Sequence, residues 1–304
     1  MRKAFVKTLI ELAEKDERIC LLTGDLGFHA LEEFKDKFPG RFLNCGIAEQ
    51  NMAGMAAGLA LCGKKPYIYS IVPFVTLRCL EQIRNDICYQ NLDVKIIGIG
   101  GGFSYGTLGS THSVMEELAI LRTLPNMTVL CPADAFETEE LILKSYQTKN
   151  PTYIRITKAD ETSLHSKKPD LEIGEPYIIK EGSKIAIISA GSQAIFSVQA
   201  ATELKEKGHD IKVINIHTIK PIEKNSLLKL LEGIDKVFVF EEHSVMGGIG
   251  SAVLECLAES EWKGKVKIIG VPDEFSSCVG SQDYLRKKYA IDKEGIIKSI
   301  LNYL

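Results

Sequence analysis

The chain has 304 residues, enough for about two domains of ordinary size, and 45% of them are hydrophobic, which fits a soluble globular protein with a substantial core. A formal net charge of −3 with no Lys/Arg block argues against a nucleic-acid partner, and no apolar run is long enough to span a membrane. The amino terminus carries no apolar signal core, and the eight cysteines form no Cys-x-x-Cys pair; they read as buried thiols of a cytoplasmic protein, with no metal site expected.

Short apolar runs alternate with longer amphipathic ones. Strands are predicted over 19–23, 41–45, 65–70, 94–98, 128–131 and 153–156, with helices over 3–14, 49–61, 77–87 and 135–149. The strands lack in–out alternation, as in a parallel sheet covered on both faces, so residues 1–160 are expected to form an open α/β domain. The polar stretch 158–172, rich in Ser and Lys and carrying Pro169, reads as connecting chain, with a linker set at 161–180. A second open α/β domain is expected over 181–304. Its strands are 184–189, 211–215, 236–240 and 265–271, and its helices are 194–207, stopped by Gly208, and a closing helix near 293–304.

Two stretches carry chemistry. Gly46-Ile47-Ala48-Glu49-Gln50 places one carboxylate where an apolar strand meets a helix of small residues, with Gly54 and Gly58 four apart. So little side-chain bulk lets another backbone approach, and Glu49 is expected in a crowded, poorly hydrated place. In such surroundings a carboxylic acid can donate a hydrogen bond near neutral pH. The plain alternative is a first-turn acid that complements the helix dipole. The second stretch, the glycine-rich run 98–109, superficially looks like a dinucleotide fingerprint. Its strand comes fourth, however, and no helix follows promptly, so a flexible loop over a ligand is expected, delivering Thr111 and His112.

These residues resemble the transketolase superfamily, which uses thiamine diphosphate. Gly46–Gln50 with its small-residue helix is similar to the pyrimidine-binding domain. Leu22-Thr23-Gly24-Asp25-Leu26-Gly27, Gly109-Ser110-Thr111-His112-Ser113, the run 121–134, and Glu241-Glu242-His243-Ser244 followed by Gly247-Gly248-Ile249-Gly250 match further segments in the right order. The likeness covers essentially the whole chain. It implies a pyrimidine-binding domain followed by a transketolase C-terminal-type domain.

The resemblance also implies roles. Glu49 corresponds to the glutamate that hydrogen-bonds the coenzyme's pyrimidine ring, and His112 to a histidine near the reacting carbonyl of the donor ketose. Phe74 is the candidate to stack on that ring, against the alternative that it is ordinary core. Arg78, with no aromatic counterpart, would contact an anionic substrate or a neighbouring acid. Asp25 would lie near the thiazolium, and Arg155 and Lys158 fall where relatives bind a substrate phosphate. One position departs from the pattern: Leu108 stands where sugar-phosphate transketolases have an aspartate that reads hydroxyl stereochemistry, which puts the usual pentose phosphates in doubt. The Gly-Asp-Gly motif that binds magnesium and diphosphate in the family has no match here, since Gly24-Asp25-Leu26 breaks it. A partner chain carrying that motif, with the metal, is therefore implied, in an assembly of two chains of each kind. The beta chain of a 2-oxo-acid dehydrogenase decarboxylase component and a non-catalytic scaffold stand as alternatives.

Overall fold

The computed structural model describes residues 1–158 and 163–304; residues 159–162, where the expected boundary between first domain and linker falls, lie outside the described residues. Six strands of the first unit form in chain order: β1 (Ile19–Thr23), β2 (Phe42–Asn44), β3 (Lys65–Ile71), β4 (Lys95–Ile99), β5 (Thr128–Leu130) and β6 (Thr152–Ile156). All pair in parallel, in the spatial order β5-β6-β4-β3-β1-β2. Every residue of β1 and β4 is buried, as strands covered on both faces require, and the one charge among them, Lys95, pairs with Asp93 at 2.8 Å. Helices cover both faces. Arg2–Ala13 packs beside Ala135–Gln147 on one side, where Phe5 stacks on Tyr69 at 5.9 Å; Glu49–Leu61 covers the other. The Ala135 helix is capped by Asp134, whose carboxylate accepts from the Glu137 N–H.

The second unit holds β7 (Tyr177–Lys180), β8 (Ile185–Ser189), β9 (Ile211–Asn215), β10 (Thr218–Lys220), β11 (Lys236–Ser244) and β12 (Lys265–Val271). Four of them form a parallel sheet in the order β12-β11-β8-β9, with β7 added antiparallel on the edge of β9. Two strands depart from the sequence expectation. Residues 177–180, placed in the linker, are strand β7. Strand β10, within the expected second domain, joins the first sheet, antiparallel to β5. Both are three or four residues long, and their pairing is decided by distant partners rather than by local pattern.

The helix predicted over 77–87 forms over residues 80–88, three residues late at its start and π-wound from Ile83. Pro73 opens a four-residue helix, Val72–Val75, which ends at Thr76, whose hydroxyl turns back to the Val72 carbonyl. Leu80–Gln82 then leads into a π-helical stretch, Ile83–Cys88, closed by the Tyr89 N–H donating to the Arg84 carbonyl. Arg78 lies in the turn between the two short helices, free to bend back over Phe74.

In each sheet the chain runs to one side of its first parallel strand and later crosses to the other. In the first unit this reversal lies between β1 and β3, and in the second between β8 and β11. Open α/β sheets bind ligands in the crevice at the carboxyl ends of such strands. The crevice at β8 and β11 is covered by the first unit. There Arg155, at the end of β6, donates to the Glu242 carbonyl, and the Cys131 carbonyl accepts from the Gly191 N–H. The crevice at β1 and β3 remains.

Candidate functional site

Glu49 opens its helix at that remaining crevice. It is 1% exposed. Its Oε1 accepts from the Ser70 hydroxyl at the end of β3, 3.2 Å away, and its Oε2 from Arg78 Nη1 at 2.7 Å. Gly24, at the end of β1, packs so closely that a Cβ there would lie 3.0 Å from Glu49 Oε1. The niche is thus built by the ends of β1 and β3 and the turn at Arg78. Gly54 and Gly58 do not build it. Within this chain both face open space, so the small residues of this helix that pack tightly are Ala53, Ala56 and Ala57. The crowding expected at Glu49 is present, but its source is different.

Charge is balanced locally. Arg78, two-fifths exposed, holds its guanidinium 4.2 Å from the centre of the Phe74 ring while pairing with Glu49. Of the two contacts expected of Arg78, this is the neighbouring acid. The Phe74 ring meets His112 edge-on, with centroids 5.2 Å apart, and His112 Nδ1 lies 3.0 Å from the Thr111 hydroxyl. Glu49, Arg78, Phe74 and His112 therefore form one continuous chain of contacts. Cys79, buried beside them, has its thiol pushed up to about 12 by burial and by the Glu49 charge, so it stays an inert thiol.

Asp25 sits one residue beyond Gly24, in left-handed backbone at φ 55°, and exchanges two hydrogen bonds with Asn44 at the end of β2, at 2.9 and 3.0 Å. It is on the same sheet edge, exposed. Lys158 is exposed two residues beyond β6 and lies over the Tyr105 ring at 4.8 Å, with β4 between β6 and β3. Arg155 is engaged within the chain. Its side chain is 10% exposed, with Nε 3.2 Å from Glu117 Oε1 and Nη2 donating to the Glu242 carbonyl at 3.0 Å. Arg155 thus faces the fully buried Glu117 carboxylate, whose proton affinity burial raises and Arg155 lowers.

The loop that delivers His112 is tied down by hydrogen bonds. The Phe103 N–H donates to Glu242 Oε1 at 2.6 Å, the Gly280 N–H to the Gly106 carbonyl at 3.2 Å, and the Ser110 hydroxyl to the Ser276 carbonyl at 3.0 Å. Glu242 is held in turn by Arg286 Nε at 2.7 Å. Gly101 and Gly102 are required here, since a Cβ would lie 1.8 Å from Arg155 Nε and 2.5 Å from Glu242 Oε1. Leu108, half exposed, stands on this loop, and a Cβ at the next residue, Gly109, would meet Val279 of the second unit. Sequence reasoning missed Ser70, Glu117 and Arg286, and met Glu242 only as part of a family-matching segment. For Glu117 a signal existed: it interrupts apolar periodicity, and a buried charge needs a partner.

Two family models match, "Transketolase, pyrimidine binding domain" over residues 1–161 and "Transketolase, C-terminal domain" over residues 174–296. The chain belongs to the transketolase family. It is 37% identical to one of the subunits of the apulose-4-phosphate transketolase of Phocaeicola vulgatus, across 100% of this chain and 97% of that one. It is 33% identical to a 6-deoxy-6-sulfo-D-fructose transketolase subunit of a Clostridium species, across 98% and 92%. Among solved structures it is similar to a split-gene transketolase described as an inactive β4 tetramer, with TM-score 0.91 and 35% identity over 99% of this chain and 97% of that one. Its two mostly parallel α/β units are those of a transketolase-type transferase subunit. Among the described residues no helix is long and apolar enough to cross a membrane.

Proposed function

We propose that this chain is the carboxy-terminal half of a split transketolase that moves a two-carbon ketol unit between sugar phosphates with thiamine diphosphate. The observation that carries the reading is the buried Glu49 carboxylate beside a stackable Phe74 ring and His112, at the strand reversal of the first sheet. These groups fit the heterocyclic end of the coenzyme: a planar ring stacks on an aromatic face, and a fixed carboxyl group reads one ring nitrogen.

When bound, thiamine diphosphate supplies the carbon nucleophile and electron sink that carry the two-carbon unit. This chain's residues do the rest. Glu49, immobilised by Ser70 and Gly24, holds the pyrimidine nitrogen and sets its protonation. Phe74 fixes the ring plane. Asp25 and Arg78 border the seat, Asp25 on the side shared with the partner. His112 orients the donor ketose and exchanges a proton at its oxygen. Lys158, exposed, and Arg155 are the cations for a substrate phosphate. The diphosphate and magnesium are held by an N-terminal transketolase subunit with a Gly-Asp-Gly motif, in a cytoplasmic α2β2 assembly. The relatives named as subunits support that division.

Mixing this chain with such a subunit, magnesium and thiamine diphosphate, then scanning ketose phosphates as donors, tests the reading. Activity is expected only in the mixture. Stoichiometric coenzyme and metal binding with turnover by the chain alone, or preference for a branched 2-oxo acid, would refute it.

A further inference from the structure

We propose that Arg78 is a placeholder in the coenzyme's seat, a guanidinium that stacks on Phe74 and pairs with Glu49 in the free chain and must leave before the aminopyrimidine enters. The inference rests on the functional reading above and adds a role for a residue which that reading leaves at the border of the site.

The geometry is specific. A flat, hydrogen-bonding group already lies 4.2 Å from the Phe74 ring centre and 2.7 Å from Glu49 Oε2. An aminopyrimidine needs the same two partners, one for its face and one for its edge. The two groups cannot share one acceptor oxygen and one ring face. Glu49 cannot yield, since it is 1% exposed and wedged against Gly24 and Ser70. Arg78 can, because its side chain is already 40% exposed and leaves a turn between two short helices. A buried carboxylate without a counter-charge is costly. Arg78 removes that cost while the seat holds no coenzyme, and its departure is linked to the ring's arrival.

Competition of this kind lowers apparent coenzyme affinity by the fraction of chains whose seat is open. A charge-assisted hydrogen bond from a part-exposed arginine suggests about a five- to tenfold effect. As a positioning residue, Arg78 acts through Glu49, so its influence should vanish when Glu49 loses its charge.

The test uses the complex of this chain with its diphosphate-binding partner, titrated calorimetrically with thiamine diphosphate in excess magnesium. Arg78→Met should bind about five- to tenfold more tightly than wild type and associate faster in stopped-flow fluorescence. Arg78→Lys, which keeps the charge but loses the flat face, should fall between them. In a Glu49→Gln background, Arg78→Met should change affinity less than twofold. Arg78→Met should also lower the melting temperature of the free chain while enlarging the shift that coenzyme produces in the complex; a merely structural arginine would lower both. Unchanged or weaker binding by Arg78→Met, in a complex whose wild type binds, overturns the placeholder and leaves the functional reading standing. A wild-type complex that binds no coenzyme overturns both.

Discussion

Arg155→Met isolates the electrostatics of the domain junction. The substitution preserves most of the side-chain volume and removes the guanidinium that lies 3.2 Å from Glu117, a carboxylate with no solvent exposure. Removing one partner of a buried pair costs about 3–5 kcal/mol, because the remaining charge is left uncompensated. Glu117 can escape by taking up a proton. Burial already raises its proton affinity, with Arg155 opposing; without Arg155 the neutral acid is favoured further. A raised folded-state affinity means the stability is present at low pH and is lost as pH rises, at about 1.4 kcal/mol per unit. The variant should therefore lose about 3–5 kcal/mol at pH 8 and only about 1 kcal/mol at pH 5.5, relative to wild type at each pH. For a chain of this length the larger loss corresponds to a fall in Tm of about 6 °C. Urea unfolding followed by circular dichroism at both pH values measures it. The double variant Arg155→Met/Glu117→Gln should recover most of the loss at pH 8. Equal losses at the two pH values, or no recovery in the double variant, would refute the reasoning.

Glu49→Gln should reduce kcat of the assembled enzyme at least about a hundredfold, since a group that sets a proton's position contributes 10²–10⁴; steady-state assay with a ketose phosphate reads this directly. Glu241, buried at the start of the Ile249–Ala258 helix with its Oε2 accepting from the Ile249 N–H, is pushed up to about 8 chiefly by burial. Its folded-state affinity for the proton is raised, so its penalty is absent in acid and grows as pH rises towards about 8; Glu241→Gln should stabilise the chain by about 4 kcal/mol at pH 9 and by little at pH 4.5, read as the pH dependence of the urea midpoint. Leu108→Asp should raise kcat/KM for hydroxyl-rich ketose phosphates about tenfold relative to wild type, and an unchanged substrate ranking would remove Leu108 from the substrate path.

Much of the fold was legible because burial on both faces leaves a plain trace. β1, β3, β4 and β6 read as short apolar runs, and the helix Glu49–Leu61 starts and stops where its residues indicate. What escaped was decided at a distance. β7 and β10 are too short for a pattern, and their partners lie 33 or more residues away. The helix expected over 77–87 begins only at Leu80, because Val72–Val75 forms a separate short helix that ends at Thr76 and a turn follows it. At the site, Glu49 stood out through its neighbours in sequence. The company it keeps did not: Ser70 and Arg78 reach it from 21 and 29 residues away. The partner of Arg155 was equally hidden, since the acid facing it lies 38 positions upstream.

The strand Thr218–Lys220 stitches the two halves together, since it closes the edge of a sheet built otherwise from the first 156 residues. A fragment cut at the linker would expose the backbone of Thr128–Leu130 along its open flank, a template for sticking to its own copies. Exchange of the second half between relatives therefore carries a hidden requirement: whatever replaces it must bring a strand that zips onto the same rim.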